Sequence, residues 1–276
     1  MRRRWLLFLL AGPGALFLLL FFLTPLFGVV TEAFGNGGVA FWGLFEGNLF
    51  WSGLKGSIVL ATVTAGVSLM VGFGVAYHLA RLSQKVRSFL LALLSLPLTF
   101  SGLIVAYGFI LSFGRAGFIT LLLAKVGVDP TEFAGFIYSP YGLGFAYAYY
   151  LIPRVVLIIL PVLINFDSSQ LLAAQSLGAS RFRSVAEILL PQIMPSLFTA
   201  YCLVAAVALG AYGTALALVG TQVNILPLQL FSKISETGSD FPAAAALSVV
   251  LLALCSFIMA AGEGFASFKE RGHQEA

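Results

Sequence analysis

One arginine stands inside an apolar run, where a charge is costly. Arg154 shares a helical face with Tyr147 and Tyr150, at i, i+3 and i+7 of a stretch covering about 142–164. A cation at mid-membrane costs about 2.5–3.5 kcal/mol on insertion scales, so by default it faces a bundle interior or a water-filled path. A fixed positive charge flanked by hydroxyls can hold an anionic group on a translocation path. It can equally serve as an ion pair or a carbonyl cap for a neighbouring helix, and the spacing leaves both readings open. Tyr212 and Thr214 add hydroxyls in a later apolar run and are further candidates for a path. Other reactive residues lead nowhere. His78 and His273 are far apart, and Cys202 and Cys255 each sit in an apolar stretch, so no metal site is proposed. No nucleophile, base or metal cluster gathers near an interface, so no catalytic residue is assigned. No phosphate-binding Gly-Lys-Ser/Thr loop is present, so the energy must come from an ion gradient or another protein.

Apolar runs must position these residues, and composition says what kind. Of 276 residues, 60% are hydrophobic and 9% charged, against roughly 45–50% and about 25% in soluble domains. Mean hydropathy is +1.01. Too few charges remain to cover the surface of a soluble enzyme, and the same numbers exclude disorder. Long unbroken apolar runs exclude a β-barrel, whose strands alternate. The formal net charge of +4 brings no basic patch longer than Arg2-Arg3-Arg4, so nucleic acid is not a partner. The fold class is an all-α polytopic membrane protein.

A spanning helix needs about 20 mostly apolar residues. Six stretches qualify: 5–30, 57–80, 88–113, 142–164, 196–219 and 242–268. The first is longer than a signal-peptide core and lacks a small-x-small cleavage site, so it is expected to be retained. Pro97, Ser101 and Gly102 interrupt the third, and broken backbone is tolerated in a membrane only where protein or a cavity covers it. In the fifth, Ala206, Gly210, Gly213 and Ala217 form a stripe of small residues suited to close helix approach. Of the 15 Lys and Arg, ten flank one side, four the other, and Arg154 lies within a span. The positive-inside rule then puts both termini in the cytoplasm. Outer loops are expected at 31–56, 114–141 and 220–241, the middle one turning at Gly127, Asp129 and Pro130. One transmembrane domain fills residues 1–276.

The longest inner loop, 165–195, carries the most specific pattern. Asp167 or Ser168 can cap a helix reaching Leu177, with Ala173, Ala174 and Leu177 on one face. Gly178 ends it. A second amphipathic stretch follows, with Phe182, Val185, Ile188 and Leu189 at helical spacing, and Pro191 and Pro195 are expected to break it before the fifth span. Arg181 and Arg183 can meet acidic groups on a partner or anionic membrane lipid.

Ala173-Ala174, three residues, Gly178, nine residues, then Ile188-Leu189-Leu190-Pro191 resembles the EAA motif of ABC-importer permeases: Glu-Ala-Ala, three residues, Gly, nine residues, Ile-x-Leu-Pro. Leu172 stands where that pattern has Glu. Tyr150-Leu151-Ile152-Pro153 and Gly213-Thr214-Ala215-Leu216 resemble the spermidine/putrescine permease group, whose relatives include permeases for iron(III), thiamine, sulfate and aminoethylphosphonate. The resemblance implies the type I importer fold in a bacterial inner (cytoplasmic) membrane. It also implies that Ala173, Ala174, Leu177, Gly178, Ala179, Ser180, Arg181, Ile188, Leu190 and Pro191 form an ATPase-coupling loop. Two ABC ATPase subunits would carry ATP and Mg, so this chain needs no cofactor. A second permease, identical or homologous, would complete the path, and a periplasmic or lipid-anchored binding protein would deliver a small polar solute. Arg154 favours an anion, whereas the polyamine-like resemblance favours a cation. The competing class, a gradient-driven carrier, usually brings intramembrane acids; no Asp lies in an expected span, and Glu263 sits near an inner end.

Overall fold

A computed structural model of the chain describes residues 12–235 and 240–274, excluding the side chains of Asn36, Thr221 and residues 270–274. Arg2, Arg3, Arg4 and the start of the 5–30 span lie outside the described residues, as do the side chains of Arg271 and His273. The secondary structure described is all helical. The helices are α1 (Gly12–Ala33), α2 (Gly35–Glu46), α3 (Asn48–Ala80), α4 (Gln84–Ser95), α5 (Gly102–Phe113), α6 (Phe118–Ala124) and α7 (Pro130–Ile137). They continue as α8 (Pro140–Asn165), α9 (Ser169–Ser176), α10 (Arg181–Leu209), α11 (Gly213–Val219), α12 (Leu226–Ser235) and α13 (Phe241–Gln274). By length and apolarity, six helical segments can cross a membrane: Gly12–Ala33, Asn48–Ala80, Gly102–Ala124, Pro140–Asn165, Arg181–Leu209 and Phe241–Lys269.

The centre of the bundle is α8 packed on α3 and α10. Tyr147, Leu151, Val155 and Ile159 of α8 recur every four residues and are all fully buried. Gly72 of α3 allows the close crossing, since a Cβ there would lie 2.7 Å from Val155 Cβ. On the other side α10 packs against α13, where Thr199 Oγ1 lies 3.3 Å from the Gly262 carbonyl. Helix α1 rests on α13 through Ala33, Ala245 and Ala246 and leaves Leu16 to Leu23 exposed, which suits contact with lipid.

Several expectations need correction. Residues 31–56 are mostly helical, not a loop: α2 fills much of the stretch, and α3 begins at Asn48 after a single extended residue, Gly47. Edge-on contacts among Phe41, Phe45 and Phe50 give this segment an aromatic cluster of its own. The third span is interrupted where Pro97, Ser101 and Gly102 were expected to break it, but the stretch able to cross a membrane is Gly102–Ala124, not 88–113. Helix α4 ends in a 3₁₀ turn, Leu96–Thr99, the chain is extended through Phe100 and Ser101, and α5 restarts at Gly102. The fifth span begins earlier than expected, at Arg181, and runs helical through Pro191 and Pro195. A π-helical turn at Val185–Leu189 absorbs the first proline, which then sits in the opening turn of the α-helical part. The helix stops instead at Gly210, and Ala211 and Tyr212 are non-helical before α11. The small-residue stripe is therefore not one helix face, because Gly210 and Gly213 flank a break.

Candidate functional site: a cavity at two helix breaks and an exposed helical loop

The two breaks face each other. Thr214, in the first turn of α11, donates its hydroxyl to the Gly102 carbonyl at the start of α5, 3.0 Å away. Gly102 has room for no side chain, as a Cβ would sit 2.6 Å from Thr214 Oγ1. Tyr147, fully buried behind the second break, donates to the Ala211 carbonyl at 2.6 Å. The second break frees the Ala211 carbonyl, which would be costly unpaired in a membrane, and Tyr147 takes it up; the Gly102 carbonyl, at the start of α5, gains Thr214 as a donor from another helix.

Between the breaks lies a cavity of about 290 Å³ lined by Pro97, Gly102, Tyr150, Arg154, Tyr212 and Thr214, among others. Four of the five path candidates from the sequence thus meet at one place. Tyr147 does not line the cavity; it supports the wall. Arg154 is half-buried and forms no ion pair or carbonyl cap among the described residues, and its Nη1 is buried without a partner. Its guanidinium carbon lies 5.8 Å from the Tyr150 ring centroid, within the range of a cation–π contact. The Tyr150 hydroxyl is also buried with no hydrogen bond of acceptable geometry. Arg154 is 11 residues from the end of α8, or about 16 Å at about 1.5 Å per residue, so the cavity is far from either end of that helix.

The second feature is the 165–195 segment. Asp167 Oδ1 accepts from the Ser169 backbone at 3.0 Å and opens α9. Hydrogen bonds from the Ser169 side chain, then from its backbone, hold this carboxyl below the usual carboxylate range. The cap is thus present at neutral pH and is lost only as acid protonates Asp167 below its lowered pKa. At the other end Gly178 adopts φ +91°. Its N–H meets the Gln175 carbonyl at 3.0 Å, and the Ala179 N–H meets that of Ala174 at 3.0 Å, a Schellman turn. Ser180 caps the next helix through the Arg183 N–H at 3.2 Å. Around this fixed turn, Leu177 is 90% exposed and Phe182 84%. Arg183 pairs within its own helix with Glu187 at 2.9 Å, whereas Arg181 has no ion-pair partner among the described residues. Of the other motif positions, Ala173 and Pro191 are exposed, while Ala174, Ala179, Ile188 and Leu190 are half-buried against the bundle. The Gln192 side chain donates to that of Gln170 at 2.7 Å and ties α10 to α9.

Lys269 on α13 is a residue that sequence reasoning missed. Pro195 has no N–H, so the Pro191 carbonyl lacks its usual helical donor four residues on. Lys269 Nζ fills the vacancy at 2.7 Å and fastens the base of the loop to the last helix. A proline four residues after another in an amphipathic run was the available signal, but the sequence does not say which lysine answers it. Lys269→Met should lower the melting temperature of the purified protein by an amount corresponding to about 1–2 kcal/mol, and Lys269→Arg should recover most of it. An unchanged melt for Lys269→Met would remove this contact from the account.

Comparison with known proteins places the chain. Residues 66–265 match the family of binding-protein-dependent transport system inner membrane components. The chain is 30% identical to sulfate permease 2 of the Chlamydomonas reinhardtii chloroplast over 253 residues, covering 90% of this chain and 67% of that protein. It is 29% identical to the spermidine/putrescine permease PotB of Escherichia coli over 203 residues, covering 74% of this chain and 73% of that one. In fold it matches a chain of a bacterial alginate ABC transporter, crystallised with an alginate-bound periplasmic protein, at a TM-score of 0.75 and 20% identity over 93% of both chains. A multi-pass bundle, a type I importer fold and a family match across most of its length agree: the chain belongs to the inner-membrane components of binding-protein-dependent transport systems, the permeases of ABC importers.

Proposed function

We propose that this permease couples through the 165–195 loop to an ABC ATPase subunit, and that two such subunits supply ATP and Mg. The observation that carries the reading is the pair of bare apolar side chains, Leu177 and Phe182, presented at a rigid glycine turn. Leu177 lies outside the candidate spans and Phe182 in the opening turn of one, and large apolar groups so fully exposed at a fixed turn call for a partner. In this reading the loop is cytoplasmic, a second permease completes the path, and a binding protein delivers substrate on the far side. Rigid-body rocking of the packed helices then carries loop motion to the two breaks, because α10 contributes to both the loop and the cavity. The chain itself catalyses nothing. Relatives named for sulfate and for spermidine/putrescine support a small polar solute as the substrate. Arg181, exposed beside the turn, is available to an acidic group on the ATPase.

Single cysteines test this reading, in a background lacking Cys202 and Cys255. Leu177→Cys should crosslink to a co-expressed ATPase subunit and resist an impermeant reagent in intact cells. Val128→Cys, in the expected outer loop and 39% exposed, should label from outside. Ser184, nearer the motif's centre, is buried and unsuitable. Outside labelling of Leu177→Cys, or no crosslink to any ATPase, would overturn the assignment.

A further inference from the structure

We propose that the cavity between the two helix breaks is an intramembrane anion site that takes a small oxyanion of the sulfate or phosphonate type. The inference rests on the importer reading and names its substrate class. Three observations carry it, all at one place. The unsatisfied groups on its wall are hydrogen-bond donors. Arg154 Nη1 is buried and unpaired, and the buried Tyr150 hydroxyl faces the Thr214 hydroxyl without a well-formed hydrogen bond. The Gly102 and Ala211 carbonyls, both from lining residues, already accept from Thr214 and Tyr147. No Asp or Glu is among its lining residues. A wall with an unsatisfied guanidinium donor, a fixed cation and no carboxylate suits an acceptor-only ligand. A polyammonium ion would meet Arg154 and find no carboxylate. Gly102, the first residue of the 12-residue α5, also lines the cavity, and a helix start favours negative charge.

Size narrows the class. A volume of about 290 Å³ lies just below the roughly 300–1,000 Å³ of sites for drug-sized ligands. A tetrahedral oxyanion with some bound water fits; an oligosaccharide does not. The guanidinium fork can grip two oxygens of one oxyanion, and Tyr150 can donate to a third.

The test uses the whole importer, purified with its ATPase and partner permease in nanodiscs. Sodium sulfate, methylphosphonate and spermidine are each titrated into the millimolar range at matched ionic strength. Sulfate or methylphosphonate should bind, and spermidine should neither bind nor compete. Arg154→Gln should weaken oxyanion binding about 100-fold, and Arg154→Lys about tenfold, because Lys keeps the charge but loses the fork. Tyr150→Phe keeps the ring packing and should weaken binding about five-fold, the loss of one hydrogen bond. It keeps the test valid should Arg154→Gln fail to assemble. Binding of spermidine instead, oxyanion affinity unchanged in Tyr150→Phe or in an assembled Arg154→Gln, or no oxyanion binding to the wild type would each overturn the site. ATPase copurification is scored on the same samples. Its loss sinks the importer reading, whereas its presence without oxyanion affinity sinks the anion site alone.

Discussion

Gly178→Asp is expected to leave the permease inserted and paired while abolishing substrate-stimulated ATP hydrolysis. Gly178 holds φ +91°, and a Cβ there would meet nothing within 4 Å. The fault introduced is therefore conformational, not steric crowding. Left-handed backbone costs an ordinary residue about 1–2 kcal/mol, roughly 5–30-fold in the population of the turn, and Asp less than that because its short side chain can bond locally, so the added charge must do the rest. The Schellman hydrogen bonds of Gly178 and Ala179 loosen with the turn. Asp also adds a charge between Leu177 and Phe182, in the apolar surface proposed to bury against the ATPase, where an unpaired carboxylate is costly. Gly178→Asn separates the two effects. Asn tolerates left-handed backbone and carries no charge, so it should retain a large part of the stimulation. Reconstituted complexes compared side by side give the result, and normal stimulation in Gly178→Asp would end the case for this loop as the coupling element.

The spacing that ties this loop to its family was legible because it is local. Ala173, Ala174, Gly178 and Pro191 lie within 19 residues of chain, and a turn built from consecutive residues shows itself in their types. Pro97, Ser101 and Gly102 likewise marked the first break, since proline and glycine interrupt a helix wherever it packs. The second break was missed. Gly210 and Gly213 fit a stripe of small residues as well as they fit an interruption, and only the neighbouring α5 decides which. The two prolines misled in the other direction. Pro191 and Pro195 should stop a helix, yet a π turn before one and a lysine 74 residues beyond the other let the helix continue. What the sequence could not reveal in each case was a partner distant in the chain: Gly102 for Thr214, Ala211 for Tyr147, Pro191 for Lys269.

Arg154 shows how a local pattern and a distant contact combine. Periodicity alone put it on a face with Tyr147 and Tyr150 and left a path contact and a structural cap equally open. The structure separates these neighbours. Tyr147 bonds to the Ala211 carbonyl, which leaves Tyr150 and Arg154 on the cavity side with unsatisfied donors. Of the nearby carbonyls, those of Gly102 and Ala211 accept from Thr214 and Tyr147, not from Arg154.

Gly72→Val should be strongly damaging although it lies away from the loop, and its consequence runs to the same cavity. A Cβ at Gly72 would sit 2.7 Å from Val155 Cβ and 3.2 Å from the Ile152 carbonyl. Neither is the free end of a flexible side chain, so α3 and α8 must separate. Overpacking a close-packed core costs about 1–3 kcal/mol, occasionally more, and valine's stiff, branched Cβ places this case at the upper end. The two contacted residues bracket Arg154, so a displaced α8 moves the guanidinium away from the α5 and α11 breaks. Expected results are a large drop in membrane yield and melting temperature, and a surviving fraction that still carries the intact 165–195 loop but moves little substrate. Gly66→Val and Gly74→Val are the controls. They lie on the same helix, but a Cβ at either meets nothing within 4 Å, and exchanging glycine for valine slightly favours a helix. Both should accumulate at wild-type levels. If all three variants behave alike, the α3–α8 crossing does not hold Arg154 in register, and the geometry of the cavity must depend on other contacts.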